Sequence, residues 1–362
     1  MDQAVLARWR MHSQLLWDPV AGGAAGVVGR LAAAQGQDLL PASWGLARRA
    51  RGTTYDEVRA ACDEGAVLRT HVLRPTWHFV APADLRWLLV ATAPRVQQAA
   101  AGYNGRLGLD DEVRAGTRRT LAAVLADGQH RTRTELGSAL AAAGFHLSGP
   151  ALAQALMDAE LEGVVCSGAA RNRQQTYALL DQRAPGSWPG TREEALAELA
   201  RHYYPTRGPA SERDLARWAS LPLSEARRAT AAVADGLASV DVDGATLWHA
   251  PGEPPPPAPP RVDLVHGLDE IVMSYSHTRS VVVGEHGFFS DRPVPFSHLV
   301  LVDGRVAGRW AYERDGRGVP VRVLVRPTRD WTTAERDGVA AAAEAFGRFV
   351  GDAVQLAQLG PL

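Results

Sequence analysis

The spacing of apolar and polar positions predicts a helical front and a strand-rich back. They are divided by Pro251–Pro260, PGEPPPPAPP, a polyproline spacer that neither a helix nor a central strand accepts. One stretch of the front is clearest. Helical periodicity predicts a helix over Val113–Ala126, stopped at Asp127-Gly128. Thr132-Arg-Thr-Glu135 predicts the start of a second, because a threonine hydroxyl accepts an early N–H while a glutamate three residues on reaches back. It ends near Gly144. A third helix follows Ser148-Gly-Pro150 and carries Leu152, Leu156, Ala159 and Val164 at helical spacing. Two short strands, Val164–Ser167 and Gln175–Leu180, flank the polar loop Gly168–Gln174. Three helices and a β-hairpin make a winged helix. Arg171 and Arg173 sit in the loop, where a wing would meet phosphates.

The plan recurs on both sides. Downstream, Thr191-Arg-Glu-Glu194 opens a helix, Ser211 begins Glu212–Ser220 and Ser224 begins Glu225–Asp235. The wing is Ala238–Val242 and Ala245–His249 around Asp243-Gly244, a strong hairpin signal. Upstream, helices are predicted over Val5–Leu16, Val20–Ala34, Pro41–Ala50 and, after the capping box Thr54-Tyr-Asp-Glu57, Tyr55–Glu64. Strands Val67–Leu73 and Thr76–Val80 follow, then a helix from Ala83-Asp84. Behind the spacer, Ile271–Tyr275, Ser280–Val283, His298–Val302, Val306–Tyr312 and Val321–Arg326 read as strands, with a last helix over Thr333–Leu359. The expected fold is α+β: three tandem winged helices over 1–110, 111–185 and 186–252, then a small β-barrel with a terminal helix over 253–362.

Composition narrows the class. The chain has 362 residues, 46% hydrophobic and 22% charged, with 39 basic against 40 acidic residues. A polybasic nucleic-acid binder is excluded, but a local basic channel is not. Residues 1–100 hold 11 arginines against 8 acids, 101–185 hold 9 against 9, 186–252 hold 7 against 9, and 253–362 hold 12 against 14. A bound polyanion would therefore meet the first module. Every basic residue is Arg; lysine is absent, which excludes a lysine nucleophile. Cys62 and Cys166 cannot build a disulfide framework, and no apolar stretch follows Arg8 and Arg10 as in a secretory leader. Cytoplasmic placement is expected.

Candidate chemistry concentrates in Ala34-Gln35-Gly36-Gln37-Asp38, read as a loop joining two helices of the basic module. In an extended segment alternate side chains point the same way. The Gln35 and Gln37 amide oxygens would then converge on one spot, in an open channel lined by arginine. Such a pair can hold a water and offer negative dipole ends to a growing positive charge. Amides do not titrate near neutrality, so the pair suits a leaving group that is already activated. The plainer alternative has both glutamines bonding backbone or capping helix ends, and Asp38 as an N-cap rather than a supporting base. Other candidates divide similarly. His78 and Arg74 are phosphate contacts or structural residues. Asp269 and Glu270 are acid–base carboxylates or partners of Arg279. Trp44 and Trp77 wedge DNA or fill the core. His71 and His78 lack companions at metal spacing, so no metal is expected.

Gln35-Gly-Gln37-Asp38 followed by Ala42-Ser-Trp44-Gly-Leu46-Ala47 resembles the opening signature of the AlkZ/YcaQ winged-helix DNA glycosylases. Further similarities follow in order. Val72–Val80 with Asp84 resembles the family's Arg-X-Thr-X-His strand and the helix after it. Gly208-Pro209-Ala210-Ser211 with Trp218 and Leu221-Pro222 resembles its third winged helix. Gly267-Leu268-Asp269-Glu270 with Tyr275 and Arg279, then Val302-Asp-Gly-Arg305-Val-Ala-Gly308, resemble its barrel. The resemblance spans nearly the whole chain. It implies modules arranged around a DNA channel and excision of bulky N-alkylated purines, including natural-product adducts and interstrand crosslinks, in some members as self-resistance. It makes Gln35 and Gln37 the catalytic pair. Gln37, where the YcaQ branch has Asp, places the chain with the AlkZ branch. Gly36 departs from the usual apolar middle residue and would loosen the loop.

The expected reaction is monofunctional. An N7-alkylated guanine is cationic, so its glycosidic bond is already weak, and water held by the amides would leave an abasic site. The candidate DNA contacts are Arg48, Arg49, Arg74, Thr76, His78, Arg171, Arg173 and Arg279, with Asp38 as possible catalytic support. No cofactor is expected; the partner is double-stranded DNA carrying alkylated purines, met by a monomer at the nucleoid. Two other classes stay open from the residues alone: a non-catalytic winged-helix DNA-binding protein such as a regulator, and a protein that sequesters the free genotoxin.

Overall fold

The computed structural model describes residues 1–172, 174–256, 260–284, 297–316 and 318–360. Helices α1 (Gln3–Ser13) and α2 (Gly23–Leu31) lead into a short strand, β1 (Ala33–Gln35), then α3 (Leu39–Ala47) and α4 (Tyr55–Glu64). Strands β2 (Leu68–Val72) and β3 (Arg74–Val80) follow, and α5 (Pro82–Arg106) runs for 25 residues. The three strands form a sheet of order β1-β3-β2, in which Gln35 lies opposite His78. The helix expected over Val20–Ala34 is therefore shorter. At Ala32 φ turns to +60°, and the next three residues leave the helix to pair with β3. A tertiary partner wins here over local helix preference.

The second unit contains α6 (Asp111–Leu125), β4 (Arg131–Thr132), α7 (Arg133–Ala142), α8 (Gly149–Leu161), β5 (Val165–Ser167), β6 (Thr176–Leu179) and the single turn α9 (Leu180–Arg183). Both halves of the Thr132/Glu135 capping box are made. The third contains α10 (Arg192–Arg207), α11 (Glu212–Trp218), α12 (Leu223–Ala231) and the hairpin β7 (Ala238–Val242) and β8 (Ala245–His249). Its turn has Asp243 and Gly244 at φ +50° and +77°, as a tight hairpin requires.

The C-terminal part departs most from expectation. It contains β9 (Val262–Val265), α13 (Glu270–Met273), α14 (Ser280–Val283), β10 (His298–Val302), β11 (Arg305–Glu313), β12 (Val321–Pro327), α15 (Thr333–Val350) and β13 (Val354–Gln358). The β-branched runs at 271–275 and 280–283 are single helical turns, not strands. The first is started by the Asp269 carboxylate, which accepts the Ile271 N–H at 2.9 Å. The last helix stops at Val350, because Gly351 adopts φ +77° and caps it. The residues beyond it pair parallel with β12. The sheet is open, in the order β13-β12-β11-β10-β9; no closed barrel forms among the described residues. None of their helices is long and apolar enough to cross a membrane.

Core packing explains how these parts hold one site. A single cluster runs from Met11 and Leu88 through Tyr203 and Trp218 to Ile271, Tyr275 and Leu299. The first, third and C-terminal parts thus share a core. Trp44 of α3 packs on the C-terminal sheet, with its ring 5.4 Å from that of Phe346 and its N–H donated to the Leu264 carbonyl. It is core, not a DNA wedge. The second unit adds Met157, Leu161, Cys166 and Leu180 to the shared core and has a further cluster of its own around Leu121, Leu136, Leu156 and Tyr177.

Candidate active site

The segment 33–38 lies along the edge of the first sheet and is fastened from three sides. From the C-terminal part, the buried Glu270 carboxylate accepts the Gln35 N–H at 2.9 Å. From the third unit, Arg207 donates to the carbonyls of Leu31 (3.0 Å) and Ala33 (2.7 Å) and pairs with Glu270 at 3.0 Å. From β2, Arg69 donates to the carbonyls of Gly36 (2.7 Å) and Gln37 (2.9 Å). Burial alone would push the Glu270 carboxyl up, but Arg207, Arg74 and its hydrogen bonds outweigh this and hold it at about 2. Trp218 Nε1 and Ser274 Oγ complete its shell, at 2.9 and 3.0 Å. Gly36 is not loose. A Cβ there would stand 3.3 Å from the His78 carbonyl carbon and Phe79 nitrogen, so glycine lets the segment lie flat on β3.

The two glutamines differ. Gln35 is 3% exposed, and its Oε1 accepts the N–H groups of Gly36 (3.0 Å) and Gln37 (3.1 Å). Its Nε2 reaches Thr76 Oγ1 at 3.4 Å. Gln37 is exposed, and its Oε1 accepts the Trp77 N–H at 3.2 Å. An amide oxygen has two acceptor directions. Both are used at Gln35, whereas Gln37 keeps one, together with its NH2 group. The Gln35 oxygen thus turns to its own backbone rather than to an open channel. One of its bonds is weak, since the Gly36 N–H is shared with the Trp77 carbonyl at 2.8 Å. Asp38 is exposed at the N-cap position of α3, but its side chain makes no cap bond.

Some expected neighbours assemble here. His78 is fully buried; burial first and Arg74 second hold it well below its usual range, so it is neutral. Its Nδ1 donates to the Thr76 carbonyl (2.9 Å), which leaves Nε2 to accept from Arg74 Nη2 at 3.0 Å. His78 therefore fixes Arg74 and cannot reach a phosphate. Arg74 also donates to the carbonyl of Trp218, at the end of α11, at 2.8 Å. Burial lowers its pKa, as do Arg207, Arg217 and Arg279 against the pull of Glu270. Arg279 donates to the carbonyls of Tyr275 (2.8 Å) and Val272 (3.3 Å). Arg217 was not singled out from the sequence. It is exposed, and its guanidinium has no hydrogen-bond or ion-pair partner among the described residues. Only its place beside Arg74 and Arg279 gives it meaning, and that is invisible in a linear reading.

Other expected contacts lie elsewhere. Arg49 is buried and pairs with Asp269 at 2.6 Å, where it ties α3 to the start of α13. It faces no solvent from which DNA could approach. Asp269 and Glu270 thus pair with Arg49 and Arg207, not with Arg279. Arg48 is half-buried against Asp263. Arg171 stands exposed on the second unit's hairpin, paired with Glu135. Arg173 lies outside the described residues.

Comparison with known proteins adds the decisive observation. The family described as DNA glycosylase AlkZ-like matches residues 28–349, nearly the whole chain. The chain belongs to the AlkZ-like DNA glycosylases. An interstrand DNA cross-link repair glycosylase from Streptomyces sahachiroi is 26% identical to this AlkZ-like chain over 318 residues, 83% of it and 85% of the relative. The solved structure of the Streptomyces sahachiroi DNA glycosylase AlkZ superimposes with a TM-score of 0.77 at 21% identity, covering 99% of this chain and all of that one. This mixed α+β glycosylase therefore shares the AlkZ fold from end to end. Its Gln35–Gln37 segment falls within the matched region.

Proposed function

We propose that the chain hydrolyses the N-glycosidic bond of bulky or N7-alkylated purines in double-stranded DNA, cross-linked lesions included, with a water held by Gln35 and Gln37. The observation that carries this reading is the exposed Gln37 amide on a segment that three buried or half-buried anchors hold still. Preorganised dipoles of this kind favour developing charge because they need not reorient during the reaction. Gln37 offers a free acceptor direction and a free NH2 group to water and sugar. Gln35 joins by giving up the weaker half of the shared Gly36 hydrogen bond, a rearrangement of the sort that DNA-free sites commonly undergo. No strong acid is required, because the alkylated base is already cationic. Consistent with this, the two buried titratable groups behind the segment are locked: Glu270 is ionised and His78 neutral.

The three helix-and-hairpin units over 1–110, 111–185 and 186–252 are read as winged helices that present Arg74, Arg171 and Arg217 to phosphates, joined by Arg279 of the C-terminal part, with Thr76 beside Gln35, in a monomer acting at the nucleoid. Incubation with duplex DNA carrying N7-methylguanine tests the proposal. Free base and an abasic site are expected from the intact protein, and neither from the Gln35→Ala/Gln37→Ala double variant. No release by the intact protein overturns the reading. One observation favours a non-catalytic DNA-binding protein instead: the Gln35 oxygen is satisfied by its own loop. Tight binding to one undamaged sequence, without base release, would select that alternative.

A further inference from the structure

A cavity of about 200 Å³ lies beside the candidate loop, where the first unit meets the second unit's hairpin. Its apolar walls are Leu39, Val58, Cys62 and Ala170; its polar walls are Arg59, Asp63, Arg69, Ser167 and Gln175. Burial pushes the Cys62 thiol up to about 12, so it serves as a small apolar surface rather than a nucleophile. Apolar cavities of about 150 Å³ already admit benzene.

Two features connect this cavity to the chemistry. Arg69 belongs to both, since the guanidinium that walls the cavity also holds the carbonyls of Gly36 and Gln37. Leu39 follows Gln37 by two residues. Gln175 supplies the second feature. A guanidinium can only donate, so Gln175 turns its oxygen to Arg69. Its amide Nε2 is left buried with no partner, although a buried donor ordinarily finds an acceptor.

We infer that the cavity receives the apolar part of the alkyl group on the damaged purine: a moiety about one ring in size, with an oxygen acceptor for the Gln175 amide. This rests on the glycosylase reading and adds to it how bulky adducts are preferred over a methyl group. Cys62 and Val58 exclude water from the ring, and Arg69 couples its seating to the backbone of Gln37.

The test uses the whole protein and two duplexes, one with N7-methylguanine and one with N7-(4-methoxybenzyl)guanine. The intact protein is expected to release both bases, with the higher kcat/KM for the ring-bearing one. Ala170→Trp, which fills the cavity from the hairpin, should lower the ratio of ring-bearing to methyl kcat/KM by about tenfold or more, and Ala170→Leu by less. A folding defect scales both rates and leaves the ratio unchanged. An unchanged ratio in both variants overturns the inference, as does release of methylguanine alone by the intact protein. Release of neither base by the intact protein overturns the glycosylase reading itself.

Discussion

The second helical unit and the segment 33–38 are built on opposite principles. The unit over 111–180 takes its helices from local signals and packs Leu121, Leu136, Leu156 and Tyr177 into a cluster of its own; one face alone, through Met157, Leu161, Cys166 and the Glu160 carboxylate, joins it to the first unit. The segment 33–38 has local bonds to the Gln35 oxygen, but its position is set from afar. It is held by Arg207 and Glu270, which lie 174 and 235 residues away along the chain. The first arrangement tolerates change one residue at a time. The second concentrates the geometry of the site in a few buried charges, so small edits there should have large effects.

Four measurements can break or sharpen this contrast, from the largest expected effect to the smallest. Glu270→Gln leaves Arg207 buried without its anion, which should cost about 3–5 kcal/mol in thermal or denaturant unfolding. The pH dependence carries a sign. The folded carboxyl is held at about 2 against an ordinary 4.5, so its contribution is complete above 4.5 and is lost as pH falls from there towards 2. The variant should lose that acid-dependent part of the unfolding profile; an unchanged profile would show that the buried charge is not what holds the segment. Gln37→Ala should lower base release by about a hundredfold while the melting temperature stays within measurement error. A parallel fall in both would make Gln37 structural. Thr132→Ala, in the second unit, should cost only about 1 kcal/mol through its lost cap and leave base release intact. Arg171→Ala should change stability by less than about 0.5 kcal/mol, because its partner Glu135 is also exposed. It should reduce the salt dependence of DNA binding by about one phosphate contact, measured as the slope of log K against log salt.

The same contrast explains what the sequence revealed. Capping boxes at Thr54, Thr132 and Thr191, and the Asp243-Gly244 turn, mark the ends of elements that form where local chemistry places them. Errors gather where partners are remote. Ala33–Gln35 is a strand only because β3 lies beside it. The Val281–Val283 run looks like a strand, yet it forms a single buried turn. Residues 354–358 become a strand because β12 offers an open edge. For the site, spacing alone placed Gln35 and Gln37 on one extended segment. It could not reveal that Gln35 is turned inward, that Arg49 is interior, or that Arg69, Arg207 and Arg217 matter. None of these three lies near the loop in sequence, and an arginine's surroundings leave no periodic trace.

Arg207 and Glu270 also bear on the birth of the molecule. A ribosome releases the chain from its N-terminus, so Gln35 and Gln37 emerge long before the residues that hold them. Until residue 270 has emerged, the carbonyls of Leu31 and Ala33 and the Gln35 N–H lack their partners, while the 111–180 unit can already fold. The nascent protein thus has a folded second unit well before it has an ordered loop. The fixed geometry of the loop arrives last, and a chain terminated before residue 270 is left without it.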